Sequence, residues 1–236
     1  SPNSSGNCVA AGISSDSGSV AAVVMAAGAG RRMGYFPKSL LERDGEPLLL
    51  RQIRLLGEAG ASTVVVVLGH HAARLRAVLA QAAPRLPITL CWVLNPAPDE
   101  GPGGSLRCGL AALPPDVDTL LVLLGDQPLL EPQDLQALLA AWRARPAGVE
   151  LVLPQHAGQP GHPIVFGPLL RRAVMQAQGG RGVREWRRAH PAQVQALALE
   201  HARCTTDVDT PEDLRRLGER WGVWIRPPRP ADPAAP

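Results

Sequence analysis

Three groups of residues in this sequence have the types and spacing to handle phosphate chemistry. The first is Gly28-Ala29-Gly30-Arg31-Arg32-Met33-Gly34, followed by Lys38. Gly28, Gly30 and Gly34 allow backbone angles closed to other residues, and no side chain shields their N–H groups. Such a loop can turn several N–H donors toward one anion. Arg31, Arg32 and Lys38 add full positive charge, and donors plus cations suit a triphosphate. Lys38 is singled out by composition. The chain carries 24 Lys and Arg residues, and all but Lys38 are arginine. A lysine offers a compact, mobile charge that the planar arginine fork cannot copy.

The second group is Asp126, in Gly125-Asp126-Gln127-Pro128. The third is the pair Asp207 and Asp209, in Cys204-Thr205-Thr206-Asp207-Val208-Asp209-Thr210. A carboxylate just after a buried strand is well sited for a cation, and Mg²⁺ typically uses one or two carboxylates plus the substrate's own phosphate oxygens. A turn cap is the plain alternative for Asp126. Alternation in an extended segment puts Asp207 and Asp209 on one side, although both also fit solvated loop acids. A second glycine-rich stretch, Gly101-Pro102-Gly103-Gly104-Ser105, is expected to be a loop leading into a helix.

These residues need a sheet to hold them. Val20–Ala27 is an apolar run of strand length, covered on both faces. Further strands are expected at 63–68, 88–94, 119–124, 149–153, 164–166 and 194–199. Helices fit at 47–58, 71–81, 131–145, 168–177, 181–189 and from Pro211 onward. Ser39-Leu40-Leu41 reads as a short extended piece, and Thr210 as the cap of the last helix with Pro211 at its first position. Strand–helix alternation gives a three-layer α/β/α, Rossmann-like arrangement around a mostly parallel sheet. In such a sheet ligands gather outside the carboxyl ends of the strands, where both glycine stretches and both acidic stations would meet. Gly28-Ala29-Gly30 also resembles the start of a dinucleotide-binding fingerprint. That reading is weak, because Met33 stands where a third small residue is wanted and Tyr35-Phe36-Pro37 delays the helix.

A chain of 236 residues accommodates one such domain. It is expected over 19–224, between a Ser/Gly-rich segment 1–18 outside the domain, disordered or carried over from expression, and a disordered proline-rich tail 225–236. Net charge is only +3 and aromatic residues are 3% of the chain, so no nucleic-acid platform is present. No apolar run reaches the roughly 20 residues needed to span a bilayer. The four cysteines lack metal-ligand spacing and are expected to be free thiols in a reducing cytoplasm.

Taken in order, Ala26-Ala27-Gly28-x-Gly30-x-Arg32-Met33-Gly34 with Pro37-Lys38, then Gly125-Asp126-Gln127-Pro128, Gly161-His162-Pro163, and Asp207-Val208-Asp209-Thr210-Pro211, resemble the molybdenum cofactor cytidylyltransferases. These are nucleotidyltransferases of the glycosyltransferase-A-like fold, and the likeness covers about residues 20–220. The resemblance implies Mg²⁺-dependent transfer of CMP from CTP to the phosphate of a molybdopterin-type cofactor, with release of pyrophosphate. It implies that Ala26, Ala27, Gly28, Gly30, Arg32 and Lys38 hold the nucleotide, and that Gly103, Gly104 and Ser105 line the base and ribose. Lys38, Arg32 and Asp126 would carry catalysis. Asp126 and Asp209, with Asp207 as the other candidate, would bind the metal, and His162 would face the acceptor or simply serve the turn. Ala26-Ala27-Gly28, in place of a Gly-Gly pair, is the form of the cytidylyl-transferring members. A molybdoenzyme or its chaperone would receive the product. The alternatives are GTP as the nucleotide, another phosphorylated acceptor, or a nucleotide-binding chaperone without turnover.

Overall fold

The computed structural model describes residues 7–9 and 19–229. In chain order the strands are β1 (Asn7–Val9), β2 (Val20–Ala26), β3 (Glu42–Arg43), β4 (Glu46–Pro47), β5 (Ala61–Leu68) and β6 (Thr89–Leu94). They continue as β7 (Thr119–Leu124), β8 (Leu151–His156), β9 (Gln159–Pro160), β10 (Ile164–Phe166), β11 (Val194–Ala198) and β12 (Ile225–Arg226). The helices are α1 (Leu48–Glu58), α2 (Ala72–Ala82), α3 (Pro102–Ala112), α4 (Pro132–Arg143), α5 (Pro168–Gln176), α6 (Val183–Ala189) and α7 (Pro211–Trp221).

The main sheet runs β1-β6-β5-β2-β7-β10-β8-β11, with β9 paired to β8. Strands β6, β5, β2 and β7 are parallel neighbours, and β10 is inserted antiparallel between β7 and β8. The mostly parallel sheet with helices on both faces is the expected architecture. Period-two alternation sorts the apolar strand residues between two cores. Ala22, Val24, Val64, Val66, Leu121 and Leu123 face α1, α2 and α4. Ala21, Val23, Val65, Val67, Leu120 and Val122 face α3 and α5. These strands need apolar side chains at every position because both faces are dry. Gly109 of α3 is required by this packing, since a Cβ there would sit 2.6 Å from Val23.

A smaller core of Leu41, Leu48, Leu129, Val208, Leu217 and Ile225 fastens α7 beside the site. Thr210 caps α7 as expected. Its hydroxyl accepts the Asp213 N–H at 3.3 Å, and the Asp213 carboxylate accepts the Thr210 and Asp209 N–H groups, both at 2.9 Å. This capping box therefore also fixes the backbone of Asp209.

Several expectations are corrected. Residues 38–40 form a 3₁₀ turn rather than an extended piece. Proline at the first turn lets α3 begin at Pro102, so Gly103 and Gly104 belong to a helix and not to a loop. Asn7–Val9, expected outside the domain, is an edge strand against β6, while 1–6 and 10–18 lie outside the described residues. Ile225–Arg226, placed in the tail, pairs with β3, and 230–236 lie outside the described residues. Of the cysteines, Cys108 and Cys204 are free, but Cys91 is disulfide-bonded; its register neighbour in β1 is Cys8. Four free thiols is thus the wrong count, and cysteine usage no longer argues for a reducing compartment. Among the described residues no helix is long and apolar enough to cross a membrane.

Candidate active site

Strands β2 and β7 are parallel neighbours with Met25 opposite Leu124, so the chain leaves both at the same rim. The stretch 28–38 emerges from β2 and Asp126 from β7, as the topology requires. Gly125 N–H donates to the Met25 carbonyl at 2.8 Å and draws the two exits together. The loop after β2 folds back on one carbonyl: Gly30 O accepts the Met33 N–H at 3.0 Å and the Tyr35 N–H at 2.9 Å. Gly30 has φ +66, and a Cβ there would lie 2.0 Å from the Phe36 carbonyl oxygen. No L side chain fits that position.

The loop delivers Lys38 into a nest of acceptors. Its Nζ lies 3.1 Å from Asp126 Oδ2, 3.0 Å from Asp209 Oδ1 and 2.8 Å from the Val208 carbonyl. Arg32 reaches the other Asp209 oxygen, with its Nη2 3.0 Å from Oδ2. Two carboxylates from distant parts of the chain thus converge on a single cationic atom. Burial alone would lower the pKa of Lys38, but Asp126 and Asp209 outweigh it and hold the ammonium above its ordinary value. Lys38 therefore stays charged at neutral pH.

Lys38, Asp126, Ala26, Gly28 and Gly30 line one small cleft of about 50 Å³. Ala27 is buried beside them, its carbonyl taken by the His70 N–H at 3.1 Å. Asp207 lines a second cavity against α7 with Asp213 and Arg216 and makes no ion pair with Lys38, although it lies close enough to Asp126 and Asp209 to feel their charge. Burial, and then the charges of Asp126 and Asp209, push its carboxyl above the usual range. Of the two acids, Asp209 is the one that pairs with Lys38 and Arg32.

The second glycine stretch is divided as well. Gly103 is buried beneath the segment 180–182, where a Cβ would meet the Arg181 carbonyl at 2.0 Å. The Ser105 hydroxyl accepts the Asn95 amide at 2.8 Å inside the fold. Gly104 remains partly exposed. Gly103 lines a larger cavity of about 540 Å³ that also holds His162 and shares Met25 with the small cleft. Burial, and then the charge of Arg187, lower His162 to about 4, so its imidazole is neutral at pH 7.

Two contributions escaped the sequence reading. Gln127 is almost wholly buried; its amide donates to the His162 carbonyl at 2.9 Å, and its oxygen accepts the Leu124 N–H at 3.2 Å. It ties the loop bearing His162 to the exit of β7. The only local signal for this role is the position of the glutamine directly after Asp126 in Gly125-Asp126-Gln127-Pro128. Arg184, Arg187 and Arg188 of α6 also line the larger cavity. Only the approach of α6 to the sheet, made by packing, brings them there.

Among the described residues no set of three or more His, Cys, Asp or Glu side chains is arranged around a metal position. The convergent donors are the pair Asp126 and Asp209, neutralised by Lys38 and Arg32. Such a site can hold a polyanion and align an attack on phosphorus.

Comparison with known proteins agrees with this geometry. The MobA-like NTP transferase domain profile matches residues 22–194. The bifunctional protein GlmU of Mycobacterium leprae is 33% identical over 156 residues, which is 65% of this chain and 31% of the relative. The chain thus spans about a third of the length of that curated relative. Rv0371c from Mycobacterium tuberculosis H37Rv superimposes with a TM-score of 0.68 at 28% identity, covering 86% of this chain and 98% of that one. The manganese complex of Rv0371c gives 0.64 at 28% identity over 86% and 99% of the two chains. With the match extending from β2 into β11, the chain belongs to the MobA-like NTP transferase domain family, a family of nucleotidyltransferases.

Proposed function

We propose that this chain transfers CMP from CTP to the phosphate of a molybdopterin-type molybdenum cofactor, releasing pyrophosphate and giving the cytosine dinucleotide form. The observation that carries the transferase reading is the convergence of Asp126 and Asp209 on Lys38, within 3.1 Å, beside Gly28 and Gly30. The choice of CTP rests on Ala26-Ala27-Gly28, and the choice of acceptor on the four ordered motifs together with the MobA-like family.

A divalent ion fits the donor set. Two carboxylate oxygens already approach one cationic atom at hydrogen-bond distance, and Mg²⁺ commonly takes one or two carboxylates with the rest of its shell from phosphate and water. Asp126 and Asp209 would hold it, and the structure of Rv0371c in complex with manganese supports use of a divalent ion in this family. When bound, the ion would supply charge neutralisation on the phosphates between which the bond breaks.

The chain's own residues do the remainder. The small cleft has room for water but not for a triphosphate. Lys38 must therefore exchange its carboxylate partners for phosphate oxygens as the nucleotide enters, with Arg32 following from its exposed pair with Asp209. An oxygen of the acceptor phosphate attacks the α-phosphorus in line. The new P–O bond forms as the bond to the β-phosphate breaks, and the electron pair leaves with pyrophosphate. The acceptor phosphate is already ionised near pH 7, so no side chain need remove a proton, and neutral His162 is not required as a base. Lys38 and Arg32 stabilise the charge that builds on the leaving group. Loss of one such preorganised group costs roughly 10²–10³ in rate.

The test is pyrophosphate release with Mg²⁺ and each of CTP, GTP, ATP and UTP, with and without molybdopterin cofactor. Cofactor-dependent release with CTP alone is expected. Release with GTP in its place would overturn the base assignment, and release that does not require the cofactor would overturn the acceptor.

A further inference from the structure

Asp126 and Asp209 come from distant parts of the chain, and two carboxylates drawn together repel. Lys38 offsets that repulsion in the free protein. Once Lys38 turns to phosphate, the chain itself must keep the two acids in place. Downstream, Asp209 is fixed by the capping box of α7. Upstream, residues 199–209 belong to neither helix nor strand, so single contacts must seat them.

Arg203 makes a two-pronged contact in that stretch. Its Nε lies 2.9 Å from Asp134 Oδ2 and its Nη2 2.7 Å from Asp134 Oδ1. Asp134 sits in the first turn of α4, with its side chain almost wholly buried. Its Oδ2 also accepts the Glu131 N–H at 2.9 Å, and His201 Nε2 lies 3.5 Å from its Oδ1. A guanidinium fork on a carboxylate fixes direction as well as distance. The next residue is anchored too. The Cys204 side chain is buried in the core beneath α4, and its carbonyl accepts the His162 N–H at 3.0 Å. Thr206 tightens the turn, its hydroxyl donating to the Ala202 carbonyl at 2.7 Å.

This pair closes a frame around the two acids. Asp134 follows Asp126 by eight residues, through the start of α4, and Arg203 precedes Asp209 by six. The strand of chain that leaves Asp126 is thereby tied to the strand of chain that arrives at Asp209. We propose that Arg203 and Asp134 are positioning residues, whose buried pair sets the separation of the Asp126 and Asp209 carboxylates and with it the affinity of the site for a divalent ion. This rests on the reading of Asp126 and Asp209 as the acids that hold the ion.

The probe is Mn²⁺ alone, titrated into the full chain without nucleotide and followed by electron paramagnetic resonance of the free ion, with thermal unfolding of the same samples. Arg203→Lys keeps the charge but loses the fork. It is expected to weaken Mn²⁺ binding about 10-fold, the low end for groups that stand behind metal ligands. Arg203→Met is expected to weaken it further, and Arg203→Lys carries the test if Arg203→Met does not fold. Leu56→Ala is the control. Leu56 is fully buried near the end of α1 that leads into β5, away from the rim that bears the acids. Its loss should lower the melting temperature and leave Mn²⁺ affinity within about twofold of wild type. A purely structural pair would instead lower the melting temperature of the Arg203 variants and leave their Mn²⁺ affinity unchanged, which would overturn the proposal. Equal weakening by Leu56→Ala and Arg203→Lys would overturn it as well, by assigning the effect to general loss of stability. Asp126→Asn separates the two readings. If it loses Mn²⁺ while the Arg203 variants do not, the brace fails and the metal pair stands; if it binds Mn²⁺ as wild type does, the metal pair falls and the brace with it.

Discussion

Replacing Lys38 by methionine should have two effects of opposite sign, and their combination is the informative result. In the free protein Lys38 Nζ occupies the position between Asp126 and Asp209, at 3.1 and 3.0 Å. Any divalent ion using those carboxylates must displace it. A pair at about 4 Å interacts by about 4 kcal/mol at an effective dielectric near 20, before desolvation. The Asp209 side chain is 39% exposed and Asp126 29% exposed, so solvent leaves on the order of 1 kcal/mol per pair. Removing the competitor should then tighten Mn²⁺ binding to the nucleotide-free protein by about 10–100-fold. The same variant should lose about 10²–10³ in kcat/KM, because the cation proposed to meet the leaving group is gone. Without metal it should also melt earlier, since Asp126 loses its ion-pair partner and faces an Asp209 left with Arg32 alone, and Mn²⁺ should restore the melting temperature. Electron paramagnetic resonance of free Mn²⁺ measures the first effect, pyrophosphate release the second and thermal unfolding the third. If Mn²⁺ affinity is unchanged or weaker in Lys38→Met, then Asp126 and Asp209 are not the metal pair.

Three further outcomes follow from the geometry. Arg32→Ala removes an ion pair whose side chains are 68% and 39% exposed, so stability should change by less than about 1 kcal/mol while kcat falls at least about 10-fold; a parallel loss of stability would assign Arg32 a structural role. Gly30→Ala forces a Cβ to within 2.0 Å of the Phe36 carbonyl at positive φ; it should cost about 1–3 kcal/mol and weaken CTP binding, as read by denaturant unfolding and calorimetry. His162 titrates near 4 in the fold against about 6.5 when unfolded. Between these values the unfolded chain binds more protons, so the stability held above pH 6.5 declines as pH falls toward 4, by about 1–3 kcal/mol. His162→Asn should flatten that decline in urea unfolding followed across pH, and it should leave the pH dependence of turnover near neutrality in place.

The parts of the site legible in the sequence are those set by local chemistry. Gly28, Gly30 and Lys38 stood out because a buried strand must end before a glycine-rich turn. Asp126 stood out because Thr119–Leu124 is apolar on both faces, so the first acid after it marks the rim. What escaped depends on long-range packing. Lys38 and Asp209 are 171 positions apart, so no local pattern shows that the lysine rests on the acids and not in an open cradle. Alternation puts Asp207 and Asp209 on one side, and only the long-range approach of Lys38 and Arg32 to Asp209 separates them. The glycines at 103 and 104 read as a loop because glycine disfavours helix interiors, and Pro102 at the first turn together with the packing of 180–182 over Gly103 overrides that preference. The brief β10 followed β8 in the sequence but lies between β7 and β8 in the sheet, which residues 164–166 alone could not reveal. Nor could spacing show that Cys91 is disulfide-bonded, since that depends on an edge strand drawn from a segment of low hydropathy.

Nucleotidyl transfer at the centre formed by Lys38, Asp126 and Asp209 is tested by following label from CTP radiolabelled at the α-phosphate. With Mg²⁺ and molybdopterin cofactor, label should move into a cofactor–cytidine product, with one pyrophosphate released for each label transferred, and Asp126→Asn should abolish both. Label that remains in CTP while the protein binds the nucleotide tightly, or that appears only as free CMP, would contradict transfer and leave a binding protein or a hydrolase on a transferase fold.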